Sequence, residues 1–350
     1  MGDIIQESPG GIIPLYPGGF VGIGTPAANK FAWSMPMTTT HHPQYQPDRE
    51  AVAKMRLMLD GLKGTVAGPE AREPFDHMME NVPAASGVAY EAAEVGGVPG
   101  WWCRPDDAVA DAALLYLHGG GYVVGSARAY RHFVGQFAAR AKAAAFAPDY
   151  GLAPERPFPA ALHDAHAAYK GLAGQGFLKI ALAGDSAGGG LTLALLSRLS
   201  AEARDGSVLR PSGAAVISAW TDLALTGNSM VTRAQADPLS TRNSLDSRAQ
   251  LYLAGHDPRD PTASPLYGVL SGLPPVRMDV GEDDVLLDDS VRYGERLERA
   301  GGTGEVHTWE GMIHVFPSNV TQLKASDEAL DGIGGFLRRL LLRQQASAVA

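Results

Sequence analysis

The sequence has little cysteine, because Cys103 is the single one among 350 residues. With one thiol, no disulfide can form within the chain and no cysteine cluster can hold a metal ion. The N-terminal sequence also lacks a basic segment followed by a long apolar run, so we expect no signal peptide. Together these absences favour a protein of the reducing cytoplasm.

Long apolar runs and basic clusters are missing as well. No stretch approaches the roughly 18 consecutive apolar residues of a membrane-spanning helix. Twenty-nine Lys and Arg residues stand against 38 Asp and Glu residues, a formal net charge of −9. That balance argues against nucleic acid or an anionic membrane as the main partner. The sequence instead has 45% hydrophobic residues beside only 19% charged ones, which is ample for a sizeable core.

From about residue 87 the chain alternates between strand and helix patterns. An antiparallel hairpin turning at Gly96-Gly97 comes first, and predicted strands follow at 112–118, 144–150, 179–184, 213–220, 276–281 and 305–310. The strand at 112–118 is a nearly continuous apolar run, which is typical of a strand buried on both faces. Helical patterns lie between or after the predicted strands, at 129–143, 160–173, 191–203, 289–300 and 324–343. This alternation predicts an α/β fold whose mostly parallel sheet is covered by helices on both faces.

Two segments depart from this alternation. Residues 1–46 are rich in Pro, Gly and Thr and are predicted to form an irregular arm, followed by an amphipathic helix over 48–62 with Asp48 as its N-cap. Residues 221–262 are polar and irregular, with some helical character around 244–254, and are interpreted as an insertion. The predicted organisation is an N-terminal segment 1–70, a main domain of 71–220 and 263–350, and the insertion 221–262.

The sequence Gly184-Asp185-Ser186-Ala187-Gly188 fits the pattern G-x-S-x-G. By residue frequency alone, roughly 0.25 such matches are expected in a chain like this, so the pattern by itself is weak evidence. However, a buried strand precedes it and an apolar helix follows it, which is the setting of a nucleophile elbow. The glycines permit a tight turn and close passage of neighbouring backbone. Ser186 is therefore a candidate nucleophile, although the same peptide also suits an ordinary turn.

A serine hydroxyl needs a base to take its proton, and the base needs a carboxylate to orient it. In a fold with this elbow, the acid and then the histidine follow the serine along the chain. Three histidines follow Ser186. His307 falls within a predicted strand and His256 within the insertion, whereas His314 falls in a loop after the last strand. His314 is therefore the favoured base.

Several acidic residues could orient that base. Asp279 falls within a predicted strand, and Asp288 and Asp289 suit the start of the next helix, where the helix dipole stabilises a carboxylate. The loop directly after the strand holds Glu282, Asp283 and Asp284, and pattern alone does not choose among them.

Three consecutive glycines, Gly119–Gly121, follow a buried strand. They let the backbone approach a ligand closely, so that two N–H groups can bind a developing oxyanion, with the N–H of Ala187 as a third. One such donor is typically worth ~3–4 kcal/mol in the transition state. A flexible loop or a phosphate cradle would look similar. No G-K-[ST] follows, which excludes a P-loop, and position 124 is Val, which fits a dinucleotide fingerprint poorly.

Five motifs together resemble the hormone-sensitive-lipase-like branch, or family IV carboxylesterases, of the α/β-hydrolase fold. They are HGGGY (118–122), DYGLAPERPFPAALHDA (149–165), GDSAGGG (184–190), DDVLLDD (283–289) and IHVF (313–316). The resemblance covers about residues 87–340, and five motifs in order are far more specific than one. One departure is Gly151, where the family usually has arginine.

The resemblance also implies roles for single residues. The family's catalytic aspartate stands two residues before a leucine and four before another aspartate, which here corresponds to Asp284. The implied triad is then Ser186, Asp284 and His314. The family's oxyanion hole corresponds to Gly119, Gly120, Gly121 and Ala187, and the positions implied to support the site are His118, Asp185 and Tyr122. Members usually carry a helical cap, which here implies the segments 1–70 and 221–262.

The function implied is a cytoplasmic serine carboxylesterase that hydrolyses short- to medium-chain acyl esters through an acyl-enzyme, without metal or cofactor. Its implied partner is a small-molecule ester, with no nucleic acid and no stable membrane insertion, and a homodimer is compatible with the resemblance. A lactone hydrolase with the same machinery is one alternative. A non-catalytic small-molecule receptor is another, disfavoured because such receptors have lost the histidine that His314 represents.

Overall fold

The computed structural model describes residues 37–65 and 68–342. In this part of the chain, nine strands form one sheet. They are β1 Thr38–His42, β2 Val88–Val95, β3 Val98–Pro105, β4 Ala112–Leu117, β5 Ala144–Pro148, β6 Lys179–Asp185, β7 Ala214–Ile217, β8 Val276–Gly281 and β9 Gly304–Trp309. The α-helices are α1 Gln46–Met58, α2 Arg72–Glu80, α3 Ala127–Ala141, α4 Ala160–Gly174, α5 Ser186–Glu202, α6 Ser229–Thr232, α7 Arg242–Leu253, α8 Leu287–Arg299 and α9 Lys324–Leu342.

The sheet is parallel except at one edge. Its strand order is β1-β9-β8-β7-β6-β4-β5-β3-β2; the β2–β3 and β3–β5 pairs are antiparallel, and the other pairs are parallel. Strands β4, β5, β7 and β8 are buried along their whole length. The first three are continuous apolar runs, as is typical when helices cover both faces of a sheet, and β8 also buries the ion pair of Arg277 and Asp279. The predicted α/β fold and mostly parallel sheet are confirmed.

Strand order brings the carboxyl ends of β4 and β6 side by side. After β4 the chain moves to β5 on one side, and it then crosses to β6 on the other. Loops that diverge in this way leave a crevice beyond the strand ends, where open α/β sheets bind their ligands. The glycine loop after β4 and Ser186 after β6 therefore lie at the same crevice. In the described part of the chain, no helix combines the length and the apolar character needed to cross a membrane.

The N-terminal segment differs from its prediction in two places. Residues Thr38–His42 form β1 and pair in parallel with β9, where an irregular arm was expected. The strand lies at the sheet edge and is mostly exposed, so its sequence TTTHH carries no apolar alternation that could have indicated it. Residues 1–36 of the predicted arm lie outside the described residues, as do 343–350.

The predicted N-cap of α1 is also wrong. The helix begins earlier, with Tyr45 at the cap position and a proline in its first turn, where a missing N–H costs nothing. Asp48 is buried instead, and its carboxylate accepts hydrogen bonds from the N–H groups of Lys324 and Ala325, at 2.8 and 2.9 Å. It therefore caps α9, a helix nearly three hundred residues away, as the positive end of a helix dipole favours.

Around Gly151, Arg156 occupies the space next to the glycine. A Cβ at Gly151 would lie 2.9 Å from both the Cβ and the Nη1 of Arg156. Arg156 is paired with Asp164 at 2.6 Å, and the same carboxylate accepts the N–H of Gly151 at 2.8 Å. The arginine of this local network is therefore Arg156, and not an arginine at position 151 as in most of the family.

Candidate active site

Ser186 lies in a strained turn between β6 and α5. Its φ is +52°, in the left-handed region that residues other than glycine rarely adopt. A Cβ at Gly188 would lie 2.1 Å from the carbonyl oxygen of Leu117 and 2.2 Å from that of His118. A Cβ at Gly184 would lie 2.6 Å from the same Leu117 oxygen. Both flanking glycines are therefore required by the close approach of the chain leaving β4.

Substituting Gly188 by alanine is expected to damage the site and the fold together. The added methyl group meets two backbone oxygens, which cannot move aside as a side-chain end would. We expect a loss of about 1–3 kcal/mol in the free energy of unfolding, as for other overpacked sites, and a fall in kcat. Denaturant unfolding and ester hydrolysis measure the two effects.

The matched control is Gly174→Ala at the end of α4, where a Cβ would meet nothing within 4 Å. That variant should retain its stability and its activity. Equal behaviour of the two variants would contradict the packing argument at Gly188.

The structure brings Ser186, His314 and Asp284 together at the carboxyl edge of the sheet. His314 Nε2 lies 2.9 Å from Ser186 Oγ, and His314 Nδ1 lies 2.8 Å from Asp284 Oδ2. The three residues follow β6, β9 and β8, which explains why they converge. Asp284 is fully buried, and its other oxygen accepts the N–H of Leu286 at 2.8 Å. Hydroxyl, imidazole and carboxylate in this order form a relay that can move the serine proton to the ring.

The other acidic candidates are engaged elsewhere. Asp283 pairs with Arg56 and Glu282 with His41. Asp279 pairs with Arg277 inside the sheet, Asp288 accepts the N–H of Ser229, and Asp289 accepts the N–H groups of Thr221 and Asp222. Of the remaining histidines, His307 contacts His42 and Glu305, and His256 packs against Phe158.

The electrostatic surroundings of His314 favour its protonated form. Burial has the largest single effect and disfavours the charged ring, but Asp284, Asp237 and Asp185 together outweigh it and raise the pKa of His314 to about 8. Asp185 is itself buried, which raises the pKa of its carboxyl to about 6 although two tyrosines and a backbone N–H bind it. A ring of this basicity can accept a proton from a serine hydroxyl and release it later.

In the part of the chain that the structure describes, the glycine loop offers two free N–H donors, those of Gly120 and Gly121. The N–H of Gly119, one of the predicted oxyanion-hole glycines, instead donates to Asp185 Oδ1 at 3.0 Å and is not free to bind an oxyanion in this structure. Within the described residues, the N–H groups of Gly120 and Gly121 donate to no other protein group. Both adopt positive φ, +114° and +63°, a backbone conformation that glycine reaches without steric strain. Ala187 is the second residue of α5, where N–H groups have no acceptor within the helix.

Asp185 holds the glycine loop in place. Its carboxylate accepts hydrogen bonds from Tyr116 at 2.9 Å and Tyr130 at 3.1 Å, in addition to Gly119. A Cβ at Gly119 would lie 2.2 Å from Asp185 Oδ2, so this contact needs the glycine. The residue before the serine thus anchors the loop that carries the two free N–H groups.

His118 and Tyr122 border the same loop. His118 is buried, which lowers its pKa to about 4 and keeps it neutral, and its ring stacks on Tyr150 with centroids 4.3 Å apart. Tyr122 stacks on Tyr252 of α7 at 3.7 Å, which joins the glycine loop to the insertion. Within the described residues, neither His118 nor Tyr122 makes a hydrogen bond or a ring contact with Ser186 or His314.

Sequence reasoning missed one residue close to this relay. Asp237, in the insertion, is fully buried, and its carboxylate accepts the N–H of Val285, next to Asp284. The surrounding sequence, Ala-Asp-Pro-Leu-Ser, indicates a turn, because Asp often binds backbone N–H groups two or three residues ahead. Nothing in that pattern indicates which distant loop the other carboxylate oxygen contacts.

Comparisons with known proteins agree with this geometry. The sequence profile of the family Abhydrolase_3, described as alpha/beta hydrolase fold, matches residues 114–318. An acetyl-hydrolase from Streptomyces hygroscopicus is 40% identical over 276 residues, covering 78% of this chain and 88% of that protein. An ethyl acetate hydrolase from Pseudomonas putida is 35% identical over 235 residues, covering 65% of this chain and 73% of that protein.

Solved structures give the same result. An esterase from the bacterial hormone-sensitive lipase family superposes with a TM-score of 0.78 at 36% identity, covering 85% of this chain and 99% of that one. A hormone-sensitive lipase from a metagenome library superposes with a TM-score of 0.78 at 33% identity, with the same coverage of both chains.

Proposed function

Because the chain belongs to the hormone-sensitive-lipase-like branch of the Abhydrolase_3 family and is a carboxylic ester hydrolase, we propose that it hydrolyses short- to medium-chain acyl esters with Ser186, His314 and Asp284 as its triad. The observation that carries this proposal is the continuous hydrogen-bonded relay from Ser186 Oγ through His314 to Asp284, at 2.9 and 2.8 Å. It lies in the crevice where this fold accepts its ligands.

In the proposed reaction, Ser186 Oγ attacks the ester carbonyl carbon while His314 Nε2 accepts the hydroxyl proton. Asp284 fixes the orientation of the ring and stabilises its positive charge. The N–H groups of Gly120, Gly121 and Ala187 bind the oxyanion of the tetrahedral intermediate. The C–O bond to the alcohol then breaks, and His314 gives its proton to the leaving oxygen. Water, activated by His314 in the same way, hydrolyses the acyl-enzyme and restores Ser186.

The proposed acyl-chain preference rests on the relatives, since two of them are named for acetyl esters. We further propose that α1 and the insertion form a cap over the crevice. Two contacts support this: Arg56 of α1 donates to the carbonyl of Ala236, and Tyr252 stacks on Tyr122 of the glycine loop. The cytoplasmic location and a homodimer remain predictions from the sequence.

A series of p-nitrophenyl esters tests the substrate class. We expect kcat/KM to be highest for acetate to hexanoate and much lower for palmitate. A preference for palmitate would contradict the proposal. Turnover of a lactone with the same acyl length, measured beside the linear ester, tests the alternative of a lactone hydrolase with the same machinery. Faster turnover of the lactone would favour that alternative.

The pH dependence of acylation follows from the basicity of His314. The ring must be neutral to accept the serine proton, and its pKa is raised to about 8. We therefore expect kcat/KM to rise with pH to a plateau, with a midpoint near that value, and a burst of p-nitrophenol wherever deacylation is slower than acylation. A rate that is independent of pH between 6 and 9 would contradict the assignment of His314 as base.

A further inference from the structure

The insertion places a second carboxylate directly behind the proposed catalytic acid. Asp237 lies between α6 and α7 and is fully buried. Its Oδ1 accepts the N–H groups of Leu239 and Ser240, each at 2.8 Å, and its Oδ2 accepts the N–H of Val285 at 3.1 Å. Two of these bonds shape the turn around Asp237 itself. The third reaches across to the backbone of the residue that follows Asp284.

We propose that Asp237 is a positioning residue for ester hydrolysis, which holds the Asp284 loop through Val285 and adds a second negative charge behind His314. This inference rests on the proposed roles of Ser186, Asp284 and His314. It adds a fourth residue, supplied by the insertion, which influences His314 by fixing the position of Asp284.

The backbone contacts of the Asp284 loop support this role. Asp284 uses one oxygen for Leu286 N–H and the other for His314, so its orientation depends on the backbone of its own loop. Asp237 binds that backbone one residue along, at Val285. A shift of the loop would therefore move the oxygen that fixes the imidazole.

The charges around Asp237 also support this role. Burial, and next the neighbouring charge of Asp284, raise the pKa of Asp237, whereas His314 and two backbone N–H groups lower it. The two neighbouring carboxylates repel each other, and a positive charge on His314 relieves that repulsion. Charge on Asp237 therefore favours the imidazolium that forms as Ser186 loses its proton.

Charged side chains from α1, α6 and β6 also lie around the cluster of Asp237, Asp284 and His314. From α1, Arg56 donates to the carbonyl of Ala236 and pairs with Asp283 at 2.6 Å. Arg233, at the end of α6, also acts on Asp283. From the end of β6, Asp185 acts on His314. Burial raises the pKa of Asp283, and the positive charges of both arginines act to lower it. The charges that raise the pKa of His314 are the carboxylates of Asp284, Asp237 and Asp185.

The test is the pH profile of kcat/KM for Asp237→Asn. Asparagine has nearly the same shape and keeps one oxygen acceptor, but it has no charge. We expect the acidic limb to move to lower pH by roughly half a unit to one unit, because a nearby charge that favours the imidazolium has been removed. The plateau rate should fall roughly three- to tenfold, since one pKa unit is a tenfold change in the equilibrium between the neutral ring and the imidazolium that forms as Ser186 loses its proton.

Asp246→Asn is the matched control, because Asp246 is an exposed aspartate on α7 of the same insertion. It should leave both the midpoint and the plateau unchanged. The midpoint does not depend on the fraction of folded enzyme, so partial instability of Asp237→Asn does not obscure the result. If Asp237→Asn does not fold at all, Asp237→Ser provides a smaller uncharged variant for the same measurement.

A fall in rate without a shift of the midpoint would overturn the inference, because a merely structural residue would behave in that way. A double-mutant cycle with Asp284→Asn gives a second criterion. The loss caused by Asp237→Asn should be much smaller when Asp284 is already absent, and equal losses in both backgrounds would contradict action through Asp284. The proposed function is tested by a different variant, because it would be contradicted if Ser186→Ala kept its activity.

Discussion

Replacing Ser186 by alanine is expected to lower kcat for a short-chain ester by about a millionfold, the loss typical of removing the nucleophile from a triad. The side chain of Ser186 is 8% exposed and its Oγ lies 2.9 Å from His314 Nε2, so it is the hydroxyl that the ring can deprotonate. Without that oxygen, no acyl-enzyme can form. The measurement is steady-state hydrolysis of p-nitrophenyl butyrate at the pH plateau.

Ser200→Ala is the matched control for this experiment. Ser200 lies on the same helix α5, fourteen residues further along, which places it about 21 Å away. It is buried, and its hydroxyl has no hydrogen-bond partner among the described residues, so its loss should cost neither stability nor activity. Activity of Ser186→Ala within tenfold of the unmodified enzyme would mean that another group carries the reaction.

The second large effect is expected from Asp284→Asn, which should lower kcat by about ten-thousandfold. The carboxylate accepts the Nδ1 proton of His314 at 2.8 Å and so leaves Nε2 free to act as the base. An amide at this position can present its NH₂ group to Nδ1 and so select the wrong tautomer, and it no longer stabilises the positive ring. The fold should be retained because the two side chains have the same shape.

The neighbouring acids provide the controls for this prediction. Glu282→Gln and Asp283→Asn remove the other two carboxyl groups of the same loop, which pair with His41 and Arg56. Each should change kcat by no more than a few-fold, because exposed and half-buried ion pairs contribute about 0–1 kcal/mol. A ranking in which either variant is more damaging than Asp284→Asn would refute the assignment of the acid.

Much of this fold could be predicted from the sequence, because the buried strands and amphipathic helices carry local patterns. The run at 112–117 is apolar throughout, and the strand before Ser186 is apolar between Lys179 and Asp185, as a sheet covered on both faces requires. Ser186 and His314 could be proposed from the elbow pattern and from chain order. The choice of Asp284 over its two neighbours needed the family resemblance, since spacing does not tell which carboxylate of a loop turns towards the histidine.

The features that the sequence did not indicate all depend on contacts between distant residues. Thr38–His42 became a strand by pairing with β9, without any apolar alternation of its own. Asp48 resembles the cap of its own helix but caps α9. Gly119 belongs to a glycine run whose members look equivalent, yet Asp185 takes its N–H. Asp237 lies in the irregular insertion, where periodicity carries no information.

The central claim is that Ser186 is the nucleophile and that His314 activates it. The most direct measurement is to treat the enzyme with a serine-directed phosphonate, identify the modified peptide by mass spectrometry, and follow the rate of modification against pH. We predict one adduct per chain, on Ser186, forming with a midpoint near the pKa of His314 at about 8. An adduct on any other residue, or no adduct on an enzyme that is hydrolysing ester, would contradict the account.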